Sequence, residues 1–209
     1  MEQASPITFI LVAITPENIS NRQLALLLPL FEAGLDYLYI REPANQELIR
    51  EYISKNLPVI YYNQLLLTPD LSSFLSIPRA VQHLKEAARN KKSPDVFNQN
   101  QLYSTSVHAL PDLLELPPYF RLVFFSPLFP SISKVGYAPK EDLNSIKERL
   151  ATIRTQVNFS GKIIGLGGVA ANNIEAVKQA GFDGAALLGS VWQHSSPLQA
   201  FKAIKQALS

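Results

Sequence analysis

Two glycine-containing segments near the end of the chain have the residue types that bind a phosphate group through backbone amides. Gly167-Gly168 and Gly189-Ser190 each follow a short apolar run of the kind that forms a strand buried on both faces. Glycine lets a backbone N–H approach an anion closely, because no side chain intervenes. A simple turn is the alternative interpretation of each glycine. Two such segments in successive strand–helix units favour a phosphate site.

Polar side chains that could contact an anion or a heterocycle follow two earlier apolar runs. Arg41 and Glu42 come directly after the second run. They could serve as an anion clamp and an acid–base pair, or they could form only a surface ion pair. Asn63 and Gln64 close the third run, and their amides could hydrogen-bond the edge of a heterocycle.

Histidines lie near the ends of two further runs. His83 is close to the end of the fourth run, and Ser106 and His108 are at the end of the fifth. A lone histidine is more often structural than catalytic, but its position at a strand end keeps His83 a candidate.

A long irregular segment, residues 126–137, follows the sixth run. Ser131, Ser133 and Lys134 supply two hydroxyls and an ammonium that could reach phosphate oxygens. A loop of this length in a compact domain is usually functional. A solvated loop is the alternative, although it leaves the apolar residues of the segment unexplained.

These candidates all lie at the ends of predicted strands, which alternate with predicted helices about eight times. The first six strands are predicted at 8–14, 37–40, 58–62, 79–84, 102–107 and 121–125, and the last two begin at 162 and 183. A short helix or turn is expected at 65–74, and helices at 141–157 and 171–180. The alternation predicts one α/β domain over residues 1–209, a TIM (β/α)8 barrel, whose strand ends share one rim. A doubly wound sheet is less favoured, because no glycine fingerprint follows the first strand.

Composition restricts the classes of function. The formal net charge is +2 without a basic block, which argues against a nucleic-acid partner. There is no cysteine for disulfide or thiolate chemistry, and three histidines are too few for a usual zinc site. No signal-like or membrane-spanning segment is visible, so a soluble cytoplasmic protein is expected. The sequence leaves open whether the chain is a monomer or a homodimer.

Six motifs are more specific in their order and spacing than any one of them alone. They are Ile40-Arg41-Glu42, Tyr62-Asn63, Ser104-Thr105-Ser106-Val107-His108, the stretch 126–134, Leu166-Gly167-Gly168-Val169 with Asn173, and Ala180-Gly181-Phe182-Asp183-Gly184. Together they resemble thiamine-phosphate synthase and its TenI-type thiazole tautomerase relatives. The resemblance covers nearly the whole chain.

The resemblance implies a TIM barrel that acts in thiamine biosynthesis. The synthases join a pyrimidine methyl diphosphate to a thiazole phosphate and release pyrophosphate, with magnesium bound. By position, the backbone at Gly167-Gly168 and Gly189-Ser190 would hold the thiazole phosphate. The diphosphate would be contacted by Arg41, Asn63, Ser131, Ser133 and Lys134. The pyrimidine would be contacted by Ser106.

The chain departs from the family at positions that carry the chemistry. Gln64 and the region Ala87-Ala88, with only Glu86 nearby, stand where the synthases have aspartates, so both usual carboxylate ligands of Mg²⁺ are missing. Pro127 stands where the tautomerase has a histidine, so proton transfer would need His83, His108 or Glu42. We expect a synthase-like transferase, with a metal-free thiazole tautomerase and a non-catalytic thiazole-phosphate binder as alternatives.

Overall fold

Eight parallel strands close into a barrel in which each strand pairs with the next along the chain. The computed structural model describes residues 8–90, 97–98, 100–130, 139–156 and 161–208. The strands are β1 (Ile10–Ile14), β2 (Tyr37–Tyr39), β3 (Leu65–Leu67), β4 (Val81–Leu84), β5 (Tyr103–Val107), β6 (Phe120–Phe125), β7 (Lys162–Leu166) and β8 (Gly184–Leu187). The predicted TIM barrel is confirmed.

Helices connect the strands on the outside of the barrel. In the described ranges the α-helices are α1 (Asn21–Leu24), α2 (Leu27–Glu32), α3 (Gln46–Asn56), α4 (Pro69–Leu75), α5 (Glu86–Arg89), α6 (Leu143–Gln156), α7 (Ile174–Gln179), α8 (Gly189–Trp192) and α9 (Pro197–Gln206), and 3₁₀ helices span Val59–Gln64 and Leu110–Glu115. Helix starts follow the sequence: Ser20 caps α1 in a reciprocal capping box with Gln23. None of the helices in the described ranges is long and apolar enough to cross a membrane.

The third strand is Leu65–Leu67, and the prediction of a strand at 58–62 was wrong. Val59 and Ile60 have high strand propensity, yet they lie in a 3₁₀ helix with 68% and 76% of their surface exposed. The leucines pair with β2 and β4 and are fully buried, so burial decides the strand. The predicted helix or turn at 65–74 was wrong in its first part, because Pro69 begins α4.

Two layers of apolar side chains fill the molecule. The barrel interior is filled by Val12, Ile14, Tyr39, Leu66, Val81, Leu122, Phe124, Ile164 and Ala186. A larger layer lies between the strands and the surrounding helices. Both faces of each strand are therefore covered, which explains the continuous apolar runs in the sequence.

The last strand–helix unit closes the barrel onto the first strand. β8 pairs with β1 from Ile10↔Gly184 to Ala13↔Leu187. The indole Nε1 of Trp192 in α8 donates to the carbonyl oxygen of Ile14 at 2.6 Å. This bond fixes the end of the short helix α8 against the carboxyl end of β1.

Candidate functional site

The two glycine segments line one cavity at the carboxyl end of the barrel. Its volume is about 120 Å³. The lining residues are Leu166, Gly167, Gly168, Val169, Ala170, Ala186, Leu188, Gly189, Ser190 and Gln193. The fold thus brings together the two segments that the sequence singled out, after β7 and after β8.

Gly167 and Gly168 are required by their backbone conformation and by close packing. Their φ angles are +103° and +67°, which favour glycine. A Cβ atom on Gly168 would lie 2.7 Å from the Cβ of Phe129. The backbone N–H of Phe129 donates to the carbonyl oxygen of Gly167 at 3.1 Å. These glycines therefore allow the loop after β6 to pack closely against the turn, independently of any ligand.

Asn173 holds the first glycine segment in place. Its Oδ1 accepts from the backbone N–H of Ala170 at 2.8 Å, and its Nδ2 donates to the carbonyl oxygen of Gly168 at 3.0 Å. The residue stands immediately before α7. One side chain thus fixes both ends of the short turn that faces the cavity.

Gly189 and Ser190 have features that the packing of the protein does not explain. The φ angle of Gly189 is not positive, and a Cβ there would meet only the flexible end of Gln193, at 3.2 Å. The Ser190 hydroxyl is buried and has no hydrogen-bond partner in the described part of the chain. A buried hydroxyl is normally paired, because leaving it unpaired is costly. Both features point to a ligand in the cavity.

Backbone N–H groups add donors to the same cavity. Within the described ranges, the amides of Gly168, Gly189 and Ser190 donate to no backbone carbonyl oxygen. Three amides and one hydroxyl beside a small cavity form the kind of donor set that binds a phosphate monoester.

On the other side of the rim, Glu42 forms an ion pair with Lys85 and not with Arg41. Glu42 follows β2 with a left-handed φ of 42°, and Lys85 follows β4. The backbone N–H of Arg41 donates to the buried hydroxyl of Thr15 at 3.2 Å. Lys85 was not predicted as a site residue, although its position directly after a predicted strand was the available signal.

His83 is buried inside the barrel. Its Nδ1 lies 3.0 Å from the Ser104 hydroxyl, and its ring centroid is 4.4 Å from that of Tyr39. Burial, with a smaller effect from the positive charge of Lys85, lowers the pKa of His83 to about 3. His83 is therefore neutral near pH 7 and a weak base, which does not suit the proton carrier of a tautomerase.

Ser106 and His108 lie at the end of β5, at the same rim. His108 is exposed, and its Nδ1 lies 3.1 Å from the carbonyl oxygen of Ser126. The carbonyl oxygen of Ser106 accepts from Arg89 at 2.9 Å, which leaves the partly exposed Ser106 side chain at the rim.

Two further predicted site residues, Asn63 and Gln64, are not part of this arrangement. Asn63 and Gln64 precede β3, so they lie at the amino end of the barrel, opposite the cavity. Their expected position on the carboxyl rim was wrong because the third strand was misplaced. Ser131, Ser133 and Lys134 fall outside the described residues.

The rim does not fit a magnesium ion of the usual kind. Mg²⁺ in octahedral geometry usually keeps several waters and is held by one or two protein carboxylates together with substrate phosphates. The carboxylate of Glu42 is paired with Lys85, and Glu86 lies 4.0 Å from Arg89. No group of three His, Asp or Glu side chains that could hold a metal occurs in the described part of the chain.

Comparison with solved structures places the fold among TIM-barrel enzymes. The chain is similar to the thiamine phosphate pyrophosphorylase from Bacteroides thetaiotaomicron, with a TM-score of 0.71, 22% identity, and 95% and 97% of the two chains covered. It is similar to the thiamine phosphate pyrophosphorylase from Pyrococcus furiosus, with a TM-score of 0.70, 16% identity, and 96% and 95% covered.

A third similar structure is (S)-3-O-geranylgeranylglyceryl phosphate synthase from Thermoplasma acidophilum in complex with sn-glycerol-1-phosphate. The TM-score is 0.58 at 16% identity, with 96% and 92% of the two chains covered. No protein-family model matches the sequence, and no curated protein matches it either. The chain thus has the fold of the thiamine phosphate pyrophosphorylases, within a wider set of TIM-barrel enzymes.

Proposed function

We propose that this protein binds a thiazole phosphate through the cavity between its two glycine segments and acts as a transferase of the thiamine-phosphate synthase type. The observation that carries the proposal is the buried Ser190 hydroxyl, which has no partner within the described ranges although it lines that cavity. An anion bound there would accept from Ser190 and from the nearby amides of Gly168 and Gly189.

The size of the cavity indicates which part of the ligand it takes. Pockets that enclose a whole drug-sized ligand have volumes of roughly 300 Å³ or more, and this one has about 120 Å³. It therefore suits a phosphate headgroup, with the ring of the ligand over the mouth of the barrel. The similarity to thiamine phosphate pyrophosphorylases supports a thiazole as that ring.

In the proposed reaction, a bond forms between the thiazole and the methyl carbon of the pyrimidine. The carbon–oxygen bond to the diphosphate breaks at the same carbon, and its electron pair leaves with pyrophosphate. Positive groups fixed near the leaving oxygens stabilise the charge that develops there. Arg41, at the end of β2, is a rim cation suited to this role.

The proposal is tested by titration calorimetry with thiazole phosphate. Gly189→Asp places a negative side chain beside the ligand phosphate and should abolish measurable binding. Gly189 has room for a side chain if Gln193 moves, so the barrel should still fold. Gln199→Asp, on the exposed face of α9, adds the same charge away from the cavity and serves as the control. Equal affinity in all three proteins would contradict the assignment.

Turnover is measured separately, with purified protein, both substrates and Mg²⁺. Thiamine phosphate formation supports the transferase. A specific observation favours a second candidate, a binder without turnover: the rim carboxylate Glu42 is engaged by Lys85. That candidate predicts thiazole phosphate affinity, sensitive to Gly189→Asp, with no product.

A further inference from the structure

The ion pair between Glu42 and Lys85 crosses the rim above the end of β3. The two residues follow β2 and β4 and are 43 positions apart in the sequence. Their side chains are 61% and 50% exposed. An ion pair this exposed contributes little to stability, so the fold does not depend on it. Both side chains are free to exchange partners.

Aromatic rings form a floor beneath this pair. The rings of Tyr39 and His83 pack 4.4 Å apart inside the barrel, and each residue lies two positions before a charged rim residue, Arg41 or Lys85. Alternate residues of a strand face the same side, and this alternation, continued past the ends of β2 and β4, would place Arg41 and Lys85 over the barrel mouth.

The charges of the rim residues act on the two floor residues. Burial raises the pKa of Tyr39 to about 12, with Arg41 acting to lower it and Glu42 to raise it. Lys85 acts in the same way on His83, whose pKa is already lowered by burial.

The charge over the floor is net positive. Arg41 and Lys85 are cations, Glu42 is an anion, and His83 is neutral. Arg41 forms no ion pair with another residue of the described ranges. Two basic side chains over an aromatic floor suit a ring that carries a diphosphate.

We infer that Lys85 takes the place of a divalent cation at this rim: it exchanges Glu42 for the oxygens of a diphosphate, which then binds without metal. The inference rests on the proposed function and specifies how its second substrate is held. At this rim the carboxylates of Glu42 and Glu86 each face a basic side chain, and the described residues hold no group of three side chains that could ligate a metal. The ammonium of Lys85 provides positive charge at the end of β4 and, unlike a metal ion, needs no carboxylate ligands.

The two residues of the pair then have opposite effects on anion binding, which makes the inference testable. Inorganic pyrophosphate is titrated into the wild-type protein in EDTA. Lys85→Met should weaken the binding by about tenfold or more, because a charge-assisted hydrogen bond is lost. Glu42→Gln should tighten it by about threefold or more, because the competing carboxylate is removed.

Matched variants exist on α3, where Lys55 and Glu51 form a similar exposed ion pair far from the rim. Lys55→Met and Glu51→Gln change the net charge in the same way and should leave the pyrophosphate affinity within about twofold of the wild type. Circular dichroism of each variant verifies that it is folded.

Three results would overturn the inference. They are pyrophosphate binding only when Mg²⁺ is added, weaker binding in Glu42→Gln, as expected of a metal ligand, and unchanged binding in Lys85→Met. Thiazole phosphate binding is measured on the same variants and should change by less than about twofold. If the protein binds thiazole phosphate but no pyrophosphate, the Lys85 assignment is rejected and the cavity assignment stays intact. Pyrophosphate binding that is weakened by Lys85→Met, in a protein that binds no thiazole phosphate, would reject the cavity assignment and leave the Lys85 assignment intact.

Discussion

The side-chain amide of Asn173 donates to the carbonyl oxygen of Gly168 at 3.0 Å, across the turn that separates β7 from α7. The same side chain accepts from Ala170 at 2.8 Å. Peptide groups in this turn are therefore oriented by a residue that does not line the cavity. In the proposed phosphate site, Asn173 acts as a positioning residue for the Gly168 amide.

Asn173→Ala should reduce both stability and ligand affinity. Two hydrogen bonds are lost, at about 1 kcal/mol each in the free energy of unfolding. Thiazole phosphate should bind about tenfold more weakly, since the turn loses its orientation. Urea unfolding and calorimetry measure the two effects. Asn172→Ala, at the exposed neighbouring position, is the control. Lost stability with unchanged affinity would restrict Asn173 to a purely structural role.

Ser190→Ala should separate binding from stability. The hydroxyl has no partner in the described part of the chain, so its removal should leave the free energy of unfolding unchanged or slightly higher. Thiazole phosphate affinity should fall about tenfold, because a hydrogen bond to a charged oxygen is lost. Ser195→Ala changes an exposed serine outside the cavity and serves as the control. A large loss of stability in Ser190→Ala would mean that the hydroxyl has a structural partner.

His83→Gln should make the protein less sensitive to acid. The pKa of His83 is about 3 in the folded state, against the ordinary value of 6.5 that it has when unfolded. Between these values the unfolded state binds more protons, so the wild type loses stability as the pH falls below 6.5. The slope from this residue approaches about 1.4 kcal/mol per pH unit. Above pH 7 the group is neutral in both states and contributes no pH dependence.

Urea unfolding of wild type and His83→Gln at several pH values between 7 and 5 measures this difference. The free energies of the two proteins should diverge in their pH dependence below pH 6.5, with the variant falling less steeply. Gln can still hydrogen-bond Ser104, which limits the loss of stability at neutral pH. Parallel pH dependences would show that His83 is protonated in the folded protein.

The barrel could be predicted because most strands are buried on both faces and therefore read as apolar runs. β7 and β8, with the glycines after them, are the clearest cases. The third strand could not be located this way, because Val59 and Ile60 have a stronger local preference for strand than the three leucines that form β3. Pairing with β2 and β4 determines which segment forms the strand, and this pairing cannot be read from a single sequence.

The candidate site was predictable to the extent that it consists of backbone. The glycine segments were visible in the sequence, and the strand order brought them together. The partner of Glu42 was not visible, since Lys85 is 43 positions away and follows a different strand. Side-chain pairs across a rim depend on rotamers and on the loops between strands, neither of which periodicity reveals.

Closure of the barrel couples ligand binding in the cavity to the stability of the whole chain. The bond from Trp192 to Ile14 joins residues 178 positions apart, next to the seam where β8 meets β1. The segment that forms this seam also supplies Gly189 and Ser190. Separating the two edges would dismantle the cavity, so by thermodynamic linkage any molecule held there opposes the separation. A ligand in this small cavity would therefore stabilise the closed barrel as a whole.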